Sequence, residues 1–208
     1  MKKRCYIFAA GDFCGKFERE NDSLIIAADA GYHHLERLGI MPDVLIGDFD
    51  TIGEIPTCVC TIKFPAEKDY TDTELAIIEG INRGYSDFVI CGSIGGKRLE
   101  HTVANLALAS SYAQKGYSIL LTDGSYNVLA LHNGKAEFDS SECGFVSVFA
   151  LSGKASGVCE HGLKYSLKDG VLDSSNPTLC VSNEFCGRNS FISVEDGTII
   201  IIWQKRHK

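Results

Sequence analysis

Five aspartates follow closely on apolar runs in the first part of the chain. Asp29 comes after Ser23–Ala28, Asp48 and Asp50 come after Asp43–Ile46, and Asp69 and Asp72 lie in Glu67-Lys68-Asp69-Tyr70-Thr71-Asp72. Any one of them alone reads as an ordinary turn or cap residue. Clustered on three loops at one sheet edge, they read as a site. Asp48-Phe49-Asp50 places two carboxylates on the same side of an extended chain. Like charges so close repel unless a cation lies between them. Mg²⁺ is the expected ion, because it prefers carboxylate oxygens and keeps positions open for phosphate oxygens. Gly47 lets the backbone approach a ligand closely.

A second chemical feature is the run Gly92-Ser93-Ile94-Gly95-Gly96-Lys97-Arg98 between an apolar stretch and a helix-like one. Glycines at such a junction free backbone N–H groups to face an anion, and the helix N-terminus adds partial positive charge. Lys97 and Arg98 add formal charge. The spacing matches neither a P-loop nor a G-x-G-x-x-G fingerprint. His33 and His34 are adjacent, and adjacent helical side chains point apart, so they read as structural or surface residues. His132 and His161 receive the same reading in β turns.

The first half alternates strands and helices. Strands are predicted at Cys5–Ala10, Ser23–Ala28, Asp43–Ile46, Cys58–Phe64, Phe88–Cys91 and Tyr117–Leu121. Helices are predicted at Tyr32–Leu38, stopped by Gly39, at Thr71–Asn82 with Thr71 or Asp72 as cap, and at His101–Gln114. The last presents Val103, Leu106, Ala107 and Ser110 at helical spacing. This alternation implies a Rossmann-like α/β domain whose parallel sheet is covered on both faces, with ligands outside the carboxyl ends of the strands. After Asp123 short strand-like pieces follow one another, with turn signals at His132-Asn133-Gly134, Ser152-Gly153 and Glu195-Asp196-Gly197. That pattern predicts a small all-β sandwich or barrel. The expected division is residues 1–128, an α/β catalytic domain, and residues 129–208, a β-sandwich.

Composition sets outer limits. The 208 residues are 45% hydrophobic and 23% charged, as in globular proteins, and the net charge of −7 disfavours bulk attraction to nucleic acid or an anionic membrane. No run is long enough for a membrane span. The apolar stretch behind Met1-Lys2-Lys3-Arg4 is too short for a signal peptide, which implies a cytoplasmic protein. In that setting the nine cysteines read as reduced core thiols. Cys58-x-Cys60 lacks zinc-knuckle spacing.

Taken in order, the motifs resemble thiamine pyrophosphokinase. The matching pieces are Ala28-Asp29-Ala30-Gly31, Pro42-Asp43 with Gly47-Asp48-Phe49-Asp50-Thr51, Glu67 through Glu74, Gly95-Gly96-Lys97-Arg98-Leu99-Glu100-His101 with Asn105-Leu106, and Val181-Ser182-Asn183-Glu184-Phe185. The chain departs from the family pattern at Ala30, where glycine is usual, at Lys97, which is an extra residue, and at Glu100, where aspartate is usual. The resemblance implies an α/β catalytic domain followed by a β-sandwich. It implies ATP and thiamine as substrates and a homodimer with active sites between chains. It implies that Asp48, Asp50 and Asp72 hold Mg²⁺ and act in catalysis with Asp69. Asp29, Lys68, Thr71, Gly95, Gly96 and Arg98 would bind ATP, and Glu100, Ser182 and Asn183 would contact thiamine. Without the resemblance, Ser182-Asn183-Glu184 reads as a hairpin turn. Two rival readings use the same aspartates: a Mg²⁺-dependent nucleotide phosphohydrolase and a non-catalytic nucleotide-sensing module.

Overall fold

The computed structural model describes residues 3–50, 52–53, 59–65, 67, 69–151 and 153–205. The chain divides into two compact units, residues 1–105 with 121–124, and residues 106–120 with 125–208.

In the first unit, strands β1 (Arg4–Phe8), β2 (Leu24–Ala28), β3 (Val44–Gly47), β4 (Cys60–Lys63) and β5 (Asp87–Cys91) form a parallel sheet in the order β5-β1-β2-β3-β4. Strands β1 to β3 are almost continuously buried, as expected for a sheet covered on both faces. On one face Tyr6, Phe8, Ile25, Ala27 and Leu45 pack with Leu35 of helix α1 (Tyr32–Leu38). On the other, helix α2 (Asp72–Asn82) buries Leu75, Ala76 and Ile77. Gly80 of α2 permits this approach, because a Cβ there would lie 2.5 Å from the Phe88 ring and 3.2 Å from Cys5 Sγ. Helix α1 ends at Gly39, left-handed with φ 69°, as its sequence predicted. Helix α2 starts on Thr71, whose hydroxyl accepts from the Glu74 N–H at 3.2 Å.

Helix α3 (Leu99–Gln114) differs from its expected apolar stripe. Its buried residues are Asn105, Ala109, Ser110, Tyr112 and Ala113, whereas Val103 is 60% exposed. Apolar residues lie all round this helix, so periodicity could not select the buried side. Strand β6 (Ser118–Thr122) follows, and the Gly92 N–H donates to the Thr122 carbonyl at 2.9 Å.

The second unit contains strands β7 (Tyr126–Phe138), β8 (Phe145–Phe149), β9 (Ala155–His161), β10 (Leu167–Leu172), β11 (Cys180–Glu184) and β12 (Ser190–Gln204). All their pairings with one another are antiparallel. Two expected turns are absent. His132-Asn133-Gly134 lies inside β7 and Glu195-Asp196-Gly197 inside β12, opposite one another at a register shift between Val194 and Thr198. Asn133 Oδ1 accepts from the Gly197 N–H at 2.8 Å, closing this bulge with a side chain. The bulge lets β12 change partners: Phe191–Ser193 pair with β9, while Ile200–Trp203 pair with β8. Val146, Val148, Val158, Ile192, Ile199 and Ile201 fill the core, with Trp203 set edge-on to Phe138.

The described cysteines are free but not uniformly in the core, which corrects the expectation from sequence. Cys5, Cys91 and Cys180 are buried, whereas Cys14, Cys60, Cys143 and Cys186 are exposed. Cys58 lies outside the described residues. Among the described residues, no helix is long and apolar enough to cross a membrane.

Candidate active site

The chain runs from β1 to β4 on one side of β1 and then returns to place β5 on the other. The switch point between β1 and β5 is where an open parallel sheet leaves a crevice beyond its carboxyl ends. A cavity of about 500 Å³ lies there, walled by residues 9–12 after β1, 28–29 at the end of β2, 92–93 and 95–98 after β5, and Thr71, Asp72 and Thr73 at the start of α2. The two loops flanking the switch point are stitched together. The Ala9 N–H donates to the Cys91 carbonyl and the Gly11 N–H to the Gly92 carbonyl, each at 2.8 Å. Gly92 is left-handed, and a Cβ on it would sit 2.6 Å from the Ala9 carbonyl oxygen. Only glycine permits so close a crossing.

Carboxylates gather at one edge of this cavity. Ligand oxygens of Asp29, Asp48 and Asp50 all lie within 4.8 Å of one another. The approach depends on Gly47, where a Cβ would stand 3.1 Å from the Asp29 Cβ. Asp48-Phe49-Asp50 is not extended, contrary to the expectation from sequence. Phe49 is left-handed (φ 65°), its ring is buried, and Asp48 Oδ1 accepts from the Asp50 N–H at 3.2 Å. A tight turn anchored by a buried ring converges the two carboxylates where pleat alternation was expected to do so. The repulsion is felt by Asp50, whose carboxyl is held above its ordinary range first by Asp48 and then also by Asp29 and Asp72. Three converging carboxylates suit a hard divalent cation such as Mg²⁺. Asp72 stands at the first turn of α2, in the cavity wall and within electrostatic reach of Asp50. Geometry therefore gathers Asp29 with Asp48 and Asp50 and sets Asp72 close by. Asp69 is exposed and outside the cavity wall, and Lys68 lies outside the described residues.

Gly95 and Gly96 are both left-handed and line the cavity. Thr102 of α3 fastens this loop, its hydroxyl accepting from the Gly95 N–H at 3.0 Å. Asn105, 5% exposed, donates from Nδ2 to the Ser93 carbonyl at 2.7 Å. Arg98 donates from Nε to Glu100 at 2.7 Å, and this bond holds the Glu100 carboxyl below its ordinary range. Both side chains are about two-thirds exposed (70% and 65%), so the pair is free to exchange partners.

Three supports escaped sequence reasoning. Gly11-Asp12 obeys the same strand-end rule that singled out the other aspartates. Arg37 holds the Phe13 carbonyl, and His34 Nε2 lies 2.7 Å from the Gly11 carbonyl. Arg37 also approaches His34 Nδ1 at 3.3 Å. A guanidinium only donates, so Nδ1 is the acceptor and Nε2 carries the proton given to Gly11. Burial lowers the His34 pKa, which favours this neutral form. No periodicity or motif marks such backbone clamps.

In the second unit, Ser182 and Asn183 lie in strand β11 rather than in a hairpin turn. Ser182 is exposed and Asn183 is 3% exposed.

The open parallel sheet, its switch-point cavity and the glycine-walled carboxylate edge define a nucleotide-binding type of α/β enzyme. Residues 17–121 match the family described as "Thiamin pyrophosphokinase, catalytic domain", and residues 135–199 match "Thiamin pyrophosphokinase, vitamin B1 binding domain". The chain is 27% identical over 190 residues to a thiamine pyrophosphokinase of Bacillus subtilis (strain 168), covering 88% of each. A crystal structure of the Bacillus subtilis thiamine pyrophosphokinase superposes with a TM-score of 0.87 at 25% identity, over 99% of this chain and 100% of that one. A thiamin pyrophosphokinase family protein of Enterococcus faecalis gives 0.83 at 25% identity over the whole of both chains. The thiamin pyrophosphokinase of Candida albicans shares the fold, with a TM-score of 0.74 at 16% identity, over 99% of this chain and 90% of that one. This chain belongs to the thiamine pyrophosphokinase family of enzymes.

Proposed function

We propose that the chain transfers the pyrophosphoryl group of ATP to the hydroxyl of thiamine, giving thiamine diphosphate and AMP. The observation that carries this reading is the convergence of Asp29, Asp48 and Asp50 at the edge of a glycine-walled cavity on the sheet's switch point. The thiamine hydroxyl oxygen forms a bond to the β-phosphorus, the bond from that phosphorus to the α–β bridging oxygen breaks, and AMP leaves. Asp48, Asp50 and Asp72 would hold Mg²⁺, with Asp29 converging on the same carboxylate set. The chemistry that Mg²⁺ would supply there is neutralisation of phosphate charge and a lowered pKa for a nearby hydroxyl. The left-handed Gly95-Gly96 segment turns backbone toward the phosphates, while Thr71, Lys68 and Arg98 add donors. Glu100 and Ser182, with Asn183, form the thiamine side. Asp69 acts with Asp48, Asp50 and Asp72 in catalysis from the segment that leads into α2. Residues 1–128 form the catalytic, ATP-binding domain and residues 129–208 the thiamine-binding domain. The family matches on either side of that boundary support this division. We further assign a cytoplasmic homodimer with active sites between chains.

The deciding assay incubates the protein with Mg²⁺, ATP and thiamine and follows AMP and thiamine diphosphate. AMP that appears only with thiamine supports transfer. Thiamine-independent phosphate release would make the protein a hydrolase, and ATP binding without turnover would make it a sensing module.

A further inference from the structure

Strand β9 carries a carboxyl group in the core of the second unit. Glu160 is 4% exposed, and its Oε1 is buried with no hydrogen-bond partner. Its Oε2 accepts from Asn183 Nδ2 at 2.9 Å. The same Nδ2 donates to the Tyr165 carbonyl at 2.7 Å. Asn183 Oδ1 accepts from the Tyr165 N–H at 3.0 Å and the Glu184 N–H at 2.9 Å. A carboxamide offers two donor hydrogens and two acceptor lone pairs, and all four are used inside the protein. Asn183 has nothing left with which to bind a ligand.

The residue before it is the opposite case. Ser182 is exposed and left-handed (φ 60°), at the register shift between Cys180 and Asn183 where β11 carries one residue more than β8. Its N–H donates to Ser147 Oγ at 3.0 Å. A non-glycine residue in that region is strained and persists only where its surroundings hold it. The holding residues are Asn183 on one side and Ser147 beneath.

We propose that Glu160 is a positioning residue for the thiamine side of the site, clamping Asn183 so that the strained Ser182 is held outward toward the substrate. This rests on the assignment of Ser182 to the thiamine side and alters the part played by Asn183, which acts on its neighbours and does not touch the ligand. Burial pushes the Glu160 carboxyl above its ordinary range while the hydrogen bond from Asn183 pulls it back, and burial pushes the adjacent Cys180 thiol up to about 12. Protonated or ionised, the carboxyl offers Oε2 as the acceptor that Asn183 needs, and the oxygen of an amide supplies the same.

The test compares Glu160→Gln with Glu160→Leu in the full chain, with Tm recorded and KM measured separately for thiamine and for Mg-ATP. Glu160→Gln is expected to keep both KM values within about twofold of the unaltered protein, and folded Glu160→Leu to raise the thiamine KM roughly tenfold or more with the Mg-ATP KM unchanged. If Glu160→Leu gives no folded protein, half-buried Ser147→Ala takes its place, with a raised thiamine KM alone as the expected result. A folded Glu160→Leu or Ser147→Ala protein with normal thiamine KM overturns the clamp. So does a Glu160→Gln protein whose thiamine KM rises as far, and so does a variant in which both KM values rise together. Absence of thiamine-dependent AMP from the unaltered protein overturns instead the assignment of the reaction.

Discussion

The two units raise carboxyl pKa values by opposite means. At the edge of the α/β cavity Asp50 is exposed, and its neighbours Asp48, Asp29 and Asp72 push it up. In the β unit Glu160 has no charged neighbour among its causes, and burial pushes it up. The first kind of shift is reversible by a ligand, because a divalent cation turns mutual repulsion into shared attraction. The second is not, because nothing that binds at the surface restores water to a buried group. A carboxylate cluster held apart from its preferred state by charge is suited to binding, whereas one held by desolvation is suited to positioning.

The largest effects test the first half of this comparison. Asp48→Asn and Asp72→Asn should each lower turnover by at least ~100-fold, the scale of losing electrostatic stabilisation in a reacting site, with circular dichroism unchanged. Near-normal activity of Asp72→Asn would remove it from the metal assignment. Asp29→Asn should instead show mainly as weaker Mg²⁺ dependence, about 10- to 100-fold in the concentration for half-maximal activity. Mg²⁺ alone should raise the Tm of the unaltered protein, and this increment should vanish in Asp48→Asn and fade at acidic pH as the carboxylates protonate. An equal increment in both proteins would place the cation elsewhere.

Thr71→Ala removes the cap of α2 and should cost about 1 kcal/mol, a few degrees in Tm. The smallest effect concerns Glu160. Its folded pKa lies above its unfolded one, so the native state binds more protons, and stability declines as pH rises from the unfolded pKa through the folded one. Glu160→Gln has no such proton. Its Tm relative to the unaltered protein should therefore be lower or equal in acid and should gain as pH rises above the ordinary carboxyl range. A difference that does not change with pH would mean that Glu160 carries no raised pKa.

Much of the α/β unit was legible from its residues. Strand ends, the Gly39 stop, the Thr71 cap and the strand-end aspartates all depend on neighbours within a few positions, where backbone preference is local. The β unit was less legible. Asn133-Gly134 and Asp196-Gly197 carry strong turn chemistry, yet both lie within long strands, because paired against one another they make a bulge. Strand β10 (Leu167–Leu172) has no marked alternation and was not foreseen. Ser182-Asn183-Glu184 looked like a turn because its residues are polar, and the partner that explains buried Asn183 is 23 positions away at Glu160.

By itself the sequence determined which residue types stand at the ends of the parallel strands, and so that carboxylates and glycines would share one edge. These follow from short-range patterns of burial and turn chemistry. Only the tertiary structure decided that Asp29 closes on Asp48 and Asp50 across Gly47. It alone showed that His34 pins the Gly11 carbonyl and that Asn183 faces Glu160 with every hydrogen bond used. Those outcomes depend on which distant backbones pack together, and a one-dimensional pattern carries no record of that packing.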